Sequence, residues 1–170
     1  YRVTGGGTWS MDLNDHWSHR LTLFSSWQDP YESRPFNILD DHSITAGLRQ
    51  TVHYERKTWQ GQAGIELFSE GYEWKIYETL SGSQGQLQVH NRESRQYGNL
   101  FLHSRWSPVK KWYAEAGFNL NYLGYSIETR YHIDNTDQSG SYSYAPVFSP
   151  RLGFNYNYSG RHYLHMSAGH

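Results

Sequence analysis

The chain has 170 residues and no cysteine, and its 15 Lys and Arg against 16 Asp and Glu leave a formal net charge of -1. That excludes disulfides, thiolate metal sites and a cysteine nucleophile, and the scattered cations form no basic stripe for nucleic acid. Aromatic residues reach 17% while mean hydropathy is -0.84, a pairing that fits surfaces where a ring is apolar at one end and wet at the other.

A first strand is predicted over Arg2 to Asp12, with Val3, Gly5, Gly7, Trp9 and Met11 on one face, because side chains alternate with period two. After a short turn at Leu13–His16, a second strand covers His19 to Trp27 with Leu21 and Leu23 on its apolar face. A long polar connection, Gln28 to Asp41, holds Pro30 and Pro35. The third strand sets Ile44, Ala46, Leu48, Val52 and Tyr54 against Thr45, Gly47, Arg49, Thr51 and His53, with Gln50 the one interruption. Glu55-Arg56-Lys57 turns the chain into a fourth strand, with Trp59, Gly61, Ala63, Ile65 and Leu67 opposite Gln60, Gln62, Gly64 and Glu66.

A second long connection runs Ser69 to Arg95, with a strand extension expected at Tyr72-Trp74-Ile76 and a loop tip at Ser81–Gly85. The fifth strand, Gln96 to Trp106, carries Leu100, Leu102 and Trp106 opposite Asn99, Phe101, His103 and Arg105. Ser107–Lys111 turns into a sixth, with Trp112, Ala114, Ala116, Phe118, Leu120 and Tyr122 opposite Tyr113, Glu115, Gly117, Asn119 and Asn121. The third long connection is Leu123 to about Val147. The final hairpin joins Phe148–Tyr158 to Arg161–His170 across Ser159-Gly160. No segment sustains helical i, i+3, i+4, i+7 spacing, and no run approaches the ~20 apolar residues of a transmembrane helix.

The expected fold is therefore all-β, an antiparallel up-and-down meander of about eight long strands. Strands of this length suit a tilted bilayer crossing of ~9–11 residues better than the ~5–6 of soluble strands. Connections alternate short and long, the asymmetry of outer-membrane barrels with tight periplasmic turns and long outer loops. Aromatics bracket the short turns, with Trp9, Trp17, Tyr54, Trp59, Trp106, Trp112 and Tyr158 as an expected interfacial girdle. Tyr163 departs from it by parity. With short turns periplasmic, both chain ends fall on the outer side, so residues 1–170 read as a slice of a larger transmembrane β-barrel. The chain begins at Tyr1, with no signal peptide, and stops within a strand pattern. A soluble antiparallel sandwich explains the alternation but not the strand lengths or the bracketing.

The final stretch, with Ser149-Pro150-Arg151-Leu152-Gly153-Phe154-Asn155-Tyr156, the turn Ser159-Gly160 and the ending Ser167-Ala168-Gly169, resembles the barrel strands of TonB-dependent outer-membrane receptors. Ala63–Phe68 and Ala116–Leu120 are similar in style. The resemblance implies a barrel of about 22 strands in the bacterial outer membrane, closed by a plug and energised through TonB. Its cargo would be a scarce nutrient such as a ferric siderophore, haem, cobalamin or a glycan. The plug and TonB box are absent from this stretch, so no ligand residue carries over. Expected partners are outer-membrane lipid and lipopolysaccharide, TonB through the missing plug, and a small nutrient ligand; no cofactor is expected.

On this reading Arg49, Gln62, Glu66, His103, Glu115, Asn119, Arg151 and Asn155 line a wet interior. Tyr31, Phe36, Tyr72, Trp74, Tyr131, Tyr142 and Tyr144, in the long connections, are the candidates for ligand contact. Other motifs yield less. Gly5-Gly6-Gly7 lacks the Lys-Ser/Thr and helix of a phosphate cradle. His162 and His165 point to opposite strand faces, while His53 and His103 fit ordinary lumen positions. Asp134–Asp137 lacks calcium-loop spacing. Glu66 and Glu115 form no recognisable hydrolytic pair, and no nucleophile elbow is present. Catalysis is not expected. The alternatives are another large outer-membrane barrel, such as an assembly or secretion pore, and a soluble aromatic-rich carbohydrate-binding module.

Overall fold

A computed structural model describes all residues, Tyr1–His170. Ten strands form one antiparallel sheet: β1 (Arg2–Asp12), β2 (Trp17–Gln28), β3 (Tyr31–Ser33), β4 (Asn37–Arg56), β5 (Trp59–Leu80), β6 (Ser83–Val109), β7 (Trp112–His132), β8 (Gly140–Ser143), β9 (Val147–Asn157) and β10 (Tyr163–Gly169). The order is β1-β2-β4-β5-β6-β7-β9-β10, with β3 on β4 and β8 on β7.

The two short strands continue their neighbours. β2 meets β4 as Gln28↔Ser43, and β3 keeps the same register as Tyr31↔Asp40, so one strand is interrupted at Asp29-Pro30. Proline removes a ladder donor. Likewise β8 and β9 follow the same edge of β7, as Gly124↔Ser143 and then Asn121↔Val147. The slip of one residue across Tyr144-Ala145-Pro146 is a bulge. The expected eight-strand meander is the one found, two of its strands each being broken at a proline.

The long connections are a different matter. Gln28–Asp41 is expected as a long polar connection and Ser69–Arg95 as one with a strand extension at Tyr72-Trp74-Ile76, and both are mostly sheet. β5 and β6 stay paired up to Leu80↔Ser83, around a two-residue turn at Ser81 (φ 51°) and Gly82 (φ 87°). Two successive positive φ values are the type I′ geometry that matches strand twist. Gln84 and Gly85 therefore lie in β6 and not in a loop tip. Only the stretch from Ile133 to Ser139, within the third connection, is extended irregular chain.

The sheet is a single layer. Only 6 of 170 residues are buried, and Ile38 is the one buried hydrophobic, so there is no second sheet for a sandwich core. The apolar face instead exposes Leu23, Leu67, Leu100, Leu102, Leu152 and Met166. Its rows, such as Leu21–Gln50–Ile65–Leu100–Leu120–Phe148, are bounded at the short-turn end by aromatic rings. Trp17–Tyr54 and Tyr54–Trp59 centroids lie 4.8 and 5.2 Å apart. Trp106–Trp112 and Trp112–Phe154 lie 5.1 and 5.9 Å apart. At the other end the same face turns polar along Ser25–Ala46–Ser69–Gln96–Gly124 and then charged along His42–Glu73–Arg92–Glu128. Between Trp59 and Leu67 the apolar band is nine residues tall, close to one tilted crossing. The sheet continues well above it.

Candidate functional site

The opposite, polar face is set by register. Its lower rows place His53, Gln62, His103, Gly117 and Arg151 side by side, and above them Arg49, Glu66, Asn99 and Asn121. Arg49 pairs with Glu66, which also accepts a hydrogen bond from Asn99 Nδ2 at 3.1 Å. Glu115 lies 4.0 Å from Arg105, whose guanidinium covers the Tyr113 ring at 3.8 Å. Asn119 stands between Phe101 and Ser149, and Asn155 between Tyr113 and His165. All eight residues expected on the wet interior thus share one face. No group of three or more His, Asp or Glu is placed to hold a metal.

Between these rows and the extension lies a row of rings that alternation alone missed. Phe24, Phe68 and Tyr97 pack in tilted and edge-on contact at centroid separations of 5.1 and 5.4 Å, and Phe24 lies over Gly47 where a Cβ would collide with it. Each ring falls on the polar face and so looks like an interruption in sequence. The available signal was Gly47, which lies opposite both Phe24 and Phe68 and is readable only once register is known.

Higher still, the extension of the sheet gathers a cluster on the same face. The rows run Thr45–Glu70–Arg95–Tyr125–Tyr142, then Ser43–Tyr72–Glu93–Ile127, then Asp41–Trp74–Asn91–Thr129. Tyr72 Oη donates to Asp41 Oδ2 at 3.0 Å, and Trp74 Nε1 donates to Glu93 Oε1 at 3.0 Å. Arg95 reaches Glu93 at 2.7 Å and Glu70 at 3.3 Å, and its guanidinium sits 5.0 Å from the centre of the Tyr72 ring. Tyr125 and Tyr142 stack at 4.9 Å with planes 16° apart, and Tyr97 Oη donates to Asn121 at 2.9 Å.

Of the seven aromatics predicted for ligand contact, Tyr72, Trp74 and Tyr142 come together here. Tyr31 and Tyr131 share the other face with Asp40 and His90. Phe36 is 73% exposed at a hairpin tip, and Tyr144 sits in the bulge. Glu70, Glu93, Arg95, Tyr97 and Tyr125 were not foreseen as part of this group.

The field within the cluster is negative. Burial first, then the hydrogen bond to Asp41 and the charges of Asp41 and Glu93, push the Tyr72 phenol up to about 12, with Arg95 opposing. Tyr125 is also raised, by desolvation and then by Tyr142, Tyr144 and Glu93. Because Tyr72 ionises later folded than unfolded, its contribution to stability is complete below about pH 10. That contribution is lost as pH rises toward about 12. Absorbance titration at alkaline pH should show a latest-titrating tyrosinate that disappears in Tyr72→Phe. In Asp41→Asn it should move back toward the ordinary phenol range. An unchanged late titration in Asp41→Asn would show that Asp41 does not set it.

No family model matches the chain, and no curated protein matches it in sequence. Its structure is similar to that of the ferric citrate transporter FecA in the unliganded form, with a TM-score of 0.74 at 14% identity over 99% of this chain and 27% of that one. It is also similar to the siderophore receptor PiuA from Acinetobacter baumannii, with a TM-score of 0.71 at 9% identity over 98% of this chain and 31% of that one. The chain thus spans less than a third of either protein, and at these identities the shared feature is the fold.

Proposed function

We propose that residues 1–170 form part of the barrel wall of a TonB-dependent outer-membrane receptor that imports a scarce nutrient such as a ferric siderophore, haem or cobalamin. The observation that carries this reading is a coreless, single-layer antiparallel meander. It has tight turns at one end and tall hairpins at the other, and nearly all of it superposes on the ferric citrate transporter at a TM-score of 0.74. A single sheet with one apolar face is stable only if that face meets something apolar, and the bilayer is the partner of matching height.

In this arrangement the Trp59-to-Leu67 band meets lipid, and Trp9, Trp17, Tyr54, Trp59, Trp106, Trp112 and Tyr158 form the inner girdle. Lipopolysaccharide surrounds the charged row His42–Glu73–Arg92–Glu128. The polar face looks into the lumen, where Arg49, Gln62, Glu66, His103, Glu115, Asn119, Arg151 and Asn155 keep it wet. β1 and β10 carry the free edges, which the remainder of the wall pairs, since open edges invite association. A plug and TonB, supplied by the rest of the protein and the inner membrane, complete the machine. The residues of this stretch position and select; none is assigned catalysis. The same wall would serve an assembly or secretion pore, but the tall hairpins bearing an aromatic and acidic cluster favour a receptor.

The test is fractionation of the full-length protein, followed by growth of a deletion strain on single iron or cobalt sources. The expected result is detergent-dependent recovery from the outer membrane and loss of growth on one chelated source. Recovery in the soluble fraction would overturn the reading.

A further inference from the structure

The cluster on the polar face of the extension has a definite charge and surface character. Asp41, Glu70 and Glu93 are carboxylates, and the cation among them, Arg95, is spent on both Glu93 and Glu70. Arg34, the other cation near Asp41 and Tyr72, is held by Glu32 at 2.6 Å. Rings accompany the carboxylates. Tyr72 already receives a guanidinium over its face, and Trp74, Tyr97 and the stacked Tyr125–Tyr142 pair extend the aromatic surface. Within the same rows Asn91, beside Trp74, is fully buried with neither amide atom hydrogen-bonded, so a donor and an acceptor remain unspent at the cluster.

We propose that this face selects cargo carrying net positive charge on an aromatic or apolar body, so that a cationic metal chelate is preferred to an anionic one. The inference rests on the import reading above and adds the charge class of the cargo. Three effects act in one direction. Carboxylates attract a cation and repel an anion, and they do so more strongly away from bulk water. Aromatic faces attract cations through their quadrupole. An anionic chelate, by contrast, finds no uncommitted cation in these rows to replace its water. The charges of Asp41 and Glu93 add to burial in raising the Tyr72 phenol. Citrate, in the name of the structurally similar ferric citrate transporter, is a polycarboxylate, so the proposal predicts a cargo of opposite charge for a wall of the same fold.

The experiment uses the full-length protein in detergent, titrated by tryptophan fluorescence with two probes. One is a ferric tris-hydroxamate bearing a free ammonium group; the other is the anionic ferric citrate chelate. The expected result is at least about tenfold tighter binding of the cationic probe. The preference should shrink as salt rises from low to near molar concentration and fall severalfold in Glu93→Gln and in Asp41→Asn. Equal or tighter binding of the anionic probe would overturn the charge assignment while leaving import of chelates standing. Failure of correctly inserted protein to bind either probe would overturn the charge assignment, while loss of growth on one chelated source would still support import. Should a variant misfold, the salt dependence of the unmodified protein decides alone, because a preference that salt leaves unchanged does not come from these charges.

Discussion

Replacing Leu120 by Arg should destabilise the full-length protein in a bilayer by about 2–4 kcal/mol, the cost of a cation near the midplane of the lipid face. Replacing its neighbour Asn119 by Arg should cost less than about 0.5 kcal/mol, as for an exposed polar position. The two residues are adjacent in β7, yet Leu120 lies in the row with Leu100 and Phe148 while Asn119 lies with Phe101 and Ser149. Both are exposed in the sheet, so local packing does not distinguish them. Only the medium on each side does. Equilibrium unfolding in lipid vesicles by denaturant gives both values. Equal costs would mean that the apolar face does not meet lipid, and the membrane reading would fall with it.

That contrast also explains which parts of the fold the sequence revealed. Within the band one face is apolar and the other polar, a period-two pattern, and β4 to β7 are legible there from Tyr54, Trp59, Trp106 and Trp112 onward. Above Ser69 and Gln96 both faces carry polar residues. Charged and aromatic residues then occur on either side, as with Glu73 outward and Tyr72 inward, and the periodic signal vanishes although the backbone ladder continues. Extension of the sheet past the apolar band is written in cross-strand hydrogen bonds, which carry no side-chain signature. Pro30 and Pro146 further disguised two continuous strands as loops.

The candidate site was legible in part for the same reason. Tyr72, Trp74 and Tyr142 stood out as aromatics in polar surroundings. Glu70, Glu93 and Arg95 join them only through register, which brings together residues more than twenty positions apart, such as Arg95 and Glu70. Arg49 and Glu66 were assigned to one polar face by parity, yet nothing in the sequence indicated that they are direct cross-strand partners.

Register also yields the second large effect, at a glycine. Gly64 lies on the polar face opposite Phe101 and Thr51. A Cβ there would stand 2.6 Å from the Gln50 carbonyl oxygen and would strike the Phe101 ring as well. The ring could swing aside, but the carbonyl belongs to the β4 ladder and yields only if that strand shifts. Gly64→Val should therefore cost about 1–3 kcal/mol, the range for forced overpacking. Gly71→Val on the same strand is the control, because a Cβ at Gly71 meets nothing within 4 Å. There valine should be neutral or slightly stabilising, since a β-branched residue suits an extended backbone better than glycine. Denaturant midpoints of the two variants in the same lipid decide the matter. If Gly64→Val is as harmless as Gly71→Val, the register between β4, β5 and β6 is not the one described. The juxtaposition of Tyr72, Glu93 and Arg95, which depends on that register, would then have to be withdrawn.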